Sequence, residues 1–125
     1  MPPRPGLTAR VDVEVTEAVT ALAIGSGDVP VLSTPHVVAL CERAAIAAIG
    51  DDLDEGMTTV SMRVQLDHLA PTAIGHTATA EATLEKIEGR RLIFTVSVRD
   101  ARSLVAAGKV TRVMVDREHF LDKAR

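Results

Sequence analysis

Three observations predict an α+β fold in which a curved antiparallel sheet is wrapped around one long central helix. The first is a nearly uncharged run at residues 33–49, STPHVVALCERAAIAAI, bounded by helix start and stop signals. The second is a set of segments on either side of it whose apolar and polar residues alternate with period two. The third is the shortness of the turns between the later segments, which favours antiparallel neighbours. At 125 residues the chain makes a single domain, 1–125. That is long enough to bury roughly two-thirds of its unfolded surface around one core.

The helix has Ser33 or Thr34 as N-cap, Pro35 at the first helical position, where a missing N–H costs nothing, and Gly50 at its end. At about 100° per residue, Val38, Ile46 and Ile49 fall within about 40° of Glu42, flanked by Ala39 and Ala45. The helix's only carboxylate therefore points into its most apolar face, while His36 and Arg43 share another side. Burying a carboxylate there is expensive unless it is paired or hydrogen-bonded. Two readings follow: Glu42 lies at the edge of the core and reaches water, or it is a poised acid, base or nucleophile.

The remaining elements follow in chain order. Leu7, Ala9, Val11, Val13 and Val15 alternate with Thr8, Arg10, Asp12 and Glu14, a half-buried strand. Residues 17–32, EAVTALAIGSGDVPVL, read as a short strand or a turn of helix followed by a loop, able to cover a site beside the helix. DDLDEG at 51–56 is a solvated connection, since Asp-x-Asp spacing without further ligands does not make a metal site. Next, Val60, Met62, Val64, Leu66 and His68 share one strand face, with Ser61, Arg63, Gln65 and Asp67 on the other, so His68 ends the strand on its apolar side. Ala70-Pro71-Thr72 and Gly75 make a turn before Ala78, Ala80, Ala82 and Leu84. Glu88-Gly89 signals a hairpin into Leu92, Phe94, Val96 and Val98. A last strand runs from about Leu104 to Val115, and DREHFLDKAR forms a short helical turn.

Four later strands joined by short turns predict a meander. Leu40, Cys41, Ala44 and Ala48 lie off the Glu42 stripe, so a sheet curving around the helix buries its several apolar sides together, the alanines of the third strand allowing close approach. This is the hotdog fold.

Composition excludes several functions. A net charge of −3 with mixed signs argues against nucleic acid. The single Cys41 rules out an intrachain disulfide framework, fits a small core hydrophobe, and points to the reducing cytoplasm. No apolar run approaches the roughly 18 residues of a membrane span. The opening MPPRPG lacks the apolar centre of a signal peptide. His36, His68, His76 and His119 show no ligand spacing, so neither a metal nor a cofactor is expected. The core must be aliphatic, with Phe94 and Phe120 the only aromatics.

Thr34 at the helix start, Glu42 on its stripe and His68 at the strand end are the candidate catalytic residues. A carboxylate with an imidazole makes a general acid–base pair, or a nucleophile with its proton shuttle. Taken singly, each has a plainer explanation: an N-cap, a core-edge acid, a structural or exposed histidine. Their spacing, with HLAPTAIG beginning at His68 and EGRRL at 88–92, resembles the fluoroacetyl-CoA thioesterase family of hotdog enzymes from about Ser33 to Phe120. The resemblance implies that Thr34, Glu42 and His68 form the catalytic set. It also implies an active-site arginine at Arg112 and a substrate contact at Ser61, where the family enzyme has a glycine. Residues 17–32 contain no Phe, Tyr or Trp, so the family's aromatic lid has no counterpart.

What the resemblance implies is an acyl-CoA thioesterase for a small or medium acyl group; the two departures, Ser61 and the missing aromatic lid, argue against a strong preference for fluoroacetyl. A backbone N–H at the helix start would serve as oxyanion donor. The family also implies a homodimer, or a dimer of dimers, with sites near the subunit boundary. A single sheet on one helix likewise leaves strand edges needing cover. Two other readings stay open: a hotdog acyl-CoA hydratase or dehydratase, although the Asp-x-Asn-Pro-x-His type of motif is missing, and a non-catalytic acyl-CoA-binding module.

Overall fold

The computed structural model describes residues 2–125. Five strands, β1 (Thr8–Glu14), β2 (Met57–His68), β3 (Thr77–Glu88), β4 (Arg91–Arg99) and β5 (Leu104–Asp116), form one antiparallel sheet in the order β1-β3-β4-β5-β2. Before the long helix α2 (Thr34–Ile49) come a 3₁₀ turn (Glu17–Val19) and the one-turn helix α1 (Ala21–Ile24); helix α3 (Arg117–Asp122) closes the chain.

Only β3, β4 and β5 form the expected meander. β2 pairs with the far side of β5, so residues 69–76 are a crossover and not a hairpin turn. Pro71 has no N–H to give a ladder, and eight extended residues reach well beyond the roughly 14 Å between β2 and β3. The link is pinned along its way. The N–H groups of Leu69 and Ala70 both donate to the Val105 carbonyl, at 2.7 and 3.2 Å, and Gly75 N–H donates to the Val15 carbonyl at 2.8 Å.

Strand β2 also breaks its expected alternation. Ser61 pairs with Arg112 but Arg63 pairs with Thr111, so Met62 is the extra residue of a β-bulge. Val64, Leu66 and His68 keep the helix-facing side, whereas before the bulge that side belongs to Thr59 and Ser61. Val60 pairs with Val113 on the other face, and Met62 is 41% exposed. A second close fit holds β2 to β5. A Cβ on Gly108 would collide with the Gln65 carbonyl oxygen.

Ser33 caps α2, its hydroxyl accepting the His36 N–H, which leaves Thr34 as the first helical residue. The helix packs chiefly over β1 and β3, where Ala78, Ala80 and Ala82 are wholly buried and let it come close. Its buried face is Val37, Leu40, Cys41, Ala44, Ala45, Ala48 and Ile49. The expectation that the Glu42 stripe is the buried one holds only in part: Ala45 and Ile49 are buried, whereas Ile46 is 51% exposed and Val38 only partly covered. The buried face is centred instead on Val37, Leu40, Cys41 and Ala44. Burial, reinforced by the charge of Glu42, pushes the Cys41 thiol up to about 11, which makes it unreactive. No helix among the described residues is long and apolar enough to cross a membrane.

Candidate active site

The start of α2 and the end of β2 meet. Thr34 Oγ1 lies 2.7 Å from His68 Nδ1. The imidazole's other nitrogen, Nε2, is buried and has no hydrogen-bond partner among the described residues. Burial pushes the His68 pKa below its ordinary value, with the Ala70 backbone acting in the opposite direction. The ring is therefore neutral near pH 7, with one nitrogen held and one free. Both residues line a cavity of about 300 Å³ whose walls come from two segments, Ala21 to Leu32 and Leu69 to Pro71. Residues 17–32 thus do cover the helix start, and they bring aliphatic side chains, Val29, Val31 and Leu32. Phe94 is wholly buried in the core and Phe120 sits on α3, so neither supplies an aromatic wall.

Glu42 is not part of that contact. It lies eight residues on, which at about 1.5 Å per residue is about 12 Å along the helix axis and turned by about 80°. Its Oε2 accepts from Arg112 Nη1 at 3.1 Å, and its side chain is 25% exposed against 7% for the arginine. The guanidinium also donates from Nε to Thr59 Oγ1 at 2.9 Å and from Nη2 to the Thr59 carbonyl at 3.0 Å. Burial pulls the Arg112 pKa down while Glu42 holds it up, and the guanidinium stays charged. Arg112 is thus committed to Glu42 and Thr59. The sequence does not single out Thr59; it is the bulge that turns it inward. Ser61 faces the same side as Arg112, directly across the strand pair, and is exposed.

Among the amides of the first helical turn, His36 N–H is taken by the Ser33 hydroxyl and Val37 N–H by the Ser33 carbonyl. Pro35 has none. That leaves Thr34 as the residue whose N–H has no intrahelical acceptor.

A curved five-stranded sheet around one helix, with hydroxyl, imidazole and carboxylate distributed along the helix's open side, defines a hotdog-fold thioesterase. Comparison with known proteins narrows this. Residues 15–118 match the fluoroacetyl-CoA-specific thioesterase family, FlK, and the chain belongs to that family. The fluoroacetyl-CoA thioesterase of Streptantibioticus cattleyicolor is 33% identical over 95 residues, covering 76% of this chain and 68% of the relative. The crystal structure of the fluoroacetyl-CoA thioesterase FlK superimposes with a TM-score of 0.91 at 28% identity, over 98% of this chain and 96% of that one. A thioesterase-superfamily protein of Thermus thermophilus gives 0.92 at 27% identity, over 100% and 93%.

Proposed function

We propose that this thioester hydrolase acts on small to medium acyl-CoA thioesters through Thr34, Glu42 and His68, each site being assembled between two copies of the chain. The observation that carries this is the half-satisfied imidazole. A buried polar nitrogen without a partner costs about 1–3 kcal/mol, and a site that keeps one has a use for it. Glu42 attacks the thioester carbonyl, or takes a proton from the water that does. The C–S bond breaks as the tetrahedral intermediate collapses. The proton removed from water reaches the departing CoA sulfur by way of His68 Nε2, which accepts it and gives it up, so the ring ends neutral. In the direct-attack route water then cleaves the acyl–Glu42 anhydride, supplying that proton and freeing the carboxylate. The Thr34 hydroxyl orients the ring, and its N–H is the candidate donor to the developing oxyanion. Arg112 holds one carboxylate oxygen of Glu42 while Oε1 stays available. Ser61, across from Arg112, meets substrate approaching that oxygen.

The two-copy site is supported by the separation of Glu42 from His68 along the helix axis, and by the apolar side chains of Val38 and Ile46 left open on that side. The free edge of β2 lies there too. The unpaired, buried Cys41 fits a cytoplasmic location.

The aliphatic wall of the cavity argues against strong selection for a small fluorinated acyl group, because apolar pockets discriminate single small substituents by only about 1–3 kcal/mol. Release of free thiol from fluoroacetyl-, acetyl- and butyryl-CoA tests the reading. Hydrolysis with less than about a 10³-fold preference for fluoroacetyl is expected. A larger preference overturns the selectivity argument. Hydration without thiol release, or binding without turnover, overturns the hydrolytic mechanism.

A further inference from the structure

Thr72 is 1% exposed, a buried polar residue that the chemistry above leaves unused. It sits in the crossover, four residues after His68. Its carbonyl accepts the Leu32 N–H at 2.9 Å, two residues before Thr34. A bridge between Val31 and Ala73 runs beside that bond. Its hydroxyl donates to Asp100 Oδ2 at 3.0 Å. The other oxygen of Asp100 accepts the N–H groups of Arg102 and Ser103 at 2.8 and 2.9 Å, closing the turn between β4 and β5. One residue thus joins three segments: the approach to the helix carrying Thr34, the link leaving His68, and a rigid turn of the sheet.

The strength of this junction contrasts with the contact it adjoins. Burial alone would raise the Asp100 pKa, but its three hydrogen-bond donors outweigh that and hold it below the ordinary value. Asp100 is an ionised acceptor at neutral pH, and bonds to such groups are roughly twice as strong as neutral ones. Thr34 and His68, in contrast, meet through one bond at an exposed helix start.

We infer that Thr72, locked by Asp100, is a positioning residue that holds the backbones carrying Thr34 and His68 at hydrogen-bonding distance, and so governs turnover and not substrate affinity. This rests on the catalytic reading of that pair. An error of about 1 Å in such a contact can cost on the order of 10² in rate, and partial loosening should cost less.

The test compares Thr72→Val, which keeps volume and loses the hydroxyl, with Thr72→Ser, Asp100→Ala and the double variant Thr72→Val/Asp100→Ala, using His68→Ala as the control. Thr72→Val and Asp100→Ala are each expected to lower kcat about tenfold with KM within about twofold. The double variant should lose no more than Asp100→Ala alone, because without the carboxylate the Thr72 hydroxyl has no such bond left to lose. Thr72→Ser should stay within about twofold of wild type. Wild-type kcat in folded Thr72→Val, an equal loss in Thr72→Ser, or additive losses in the double variant would each overturn the inference. If Thr72→Val does not fold, Asp100→Ala in the surface turn decides alone by the same criterion. Activity lost in His68→Ala but kept in the Thr72 and Asp100 variants refutes only the positioning role. Activity kept in His68→Ala refutes the catalytic reading and the positioning role together.

Discussion

Thr34 and His68 meet at the start of α2 through a single hydrogen bond and leave an imidazole nitrogen free, whereas beside Glu42, eight residues further along, Arg112 is closed in by that carboxylate and by the hydroxyl and carbonyl of Thr59. The first contact borders a cavity and is under-satisfied. The second is buried on the arginine side and nearly saturated. A group that must move protons needs a free lone pair or N–H, and a group that must hold charge in place needs a full set of partners. On the proposed mechanism the difference separates a reacting end from an anchored one, with Glu42 belonging to both: one oxygen bonded to Arg112, the other without a bond.

Replacing either end should abolish turnover but affect stability in opposite ways. Glu42→Gln and His68→Ala are each expected to lower kcat by at least about 10². Glu42→Gln also weakens a charge-assisted bond to a buried guanidinium and should cost about 1–2 kcal/mol of stability. His68→Ala removes an orphaned nitrogen and should leave the chemical-denaturation midpoint unchanged or raised. Equal destabilisation by both would erase the distinction, and wild-type turnover in both folded variants would dismiss the site.

Gly108 offers a way to disturb one end only. A Cβ there meets the Gln65 carbonyl and the Leu66 Cα, so Gly108→Ala should push the His68 end of β2 away from β5. The expected loss is about 2 kcal/mol, with kcat falling more than KM changes. A variant as stable as wild type would show that β2 yields without strain.

Much of this arrangement was legible in the sequence, and what was not has local causes. The helix bounds follow from Ser33, Pro35 and Gly50, and the alternation of Ala78 to Leu84 and Leu92 to Val98 matches their burial. The bulge at Met62 was invisible, because apolar residues at 60, 62, 64 and 66 look like one uninterrupted strand face. Strand order was hidden too, since a crossover and a turn share the same Pro and Gly signals. The helical wheel centred the apolar face on Glu42, but burial is centred on Val37, Leu40, Cys41 and Ala44, and Ile46 stays exposed. Thr34, Glu42 and His68 were recognisable as residue types at a spacing. The Glu42–Arg112–Thr59 anchor was not, because pairing between distant strands is fixed by register alone.

The reacting end also makes a smaller statement in pH. With the His68 pKa below 6.5, folding favours the neutral ring. Its stability contribution is then intact above about 6.5 and declines as pH falls through the folded-state value. The acid limb of kcat/KM should accordingly have its midpoint below 6.5, and the matching slope in stability should vanish in His68→Ala. A midpoint at or above that value would mean that His68 is not the titrating group or is not buried during turnover.

The central claim is that Thr34 and His68 of one copy work with Glu42 of another. Mixed dimers test it most directly. Glu42→Gln and His68→Ala chains, each inactive alone, are refolded together in equal amounts and assayed for thiol release. If sites span two copies, half of the dimers are mixed and each carries one intact site of two, so about a quarter of wild-type activity should return. Activity no higher than that of the separate variants, in preparations shown to contain mixed dimers, would contradict the account.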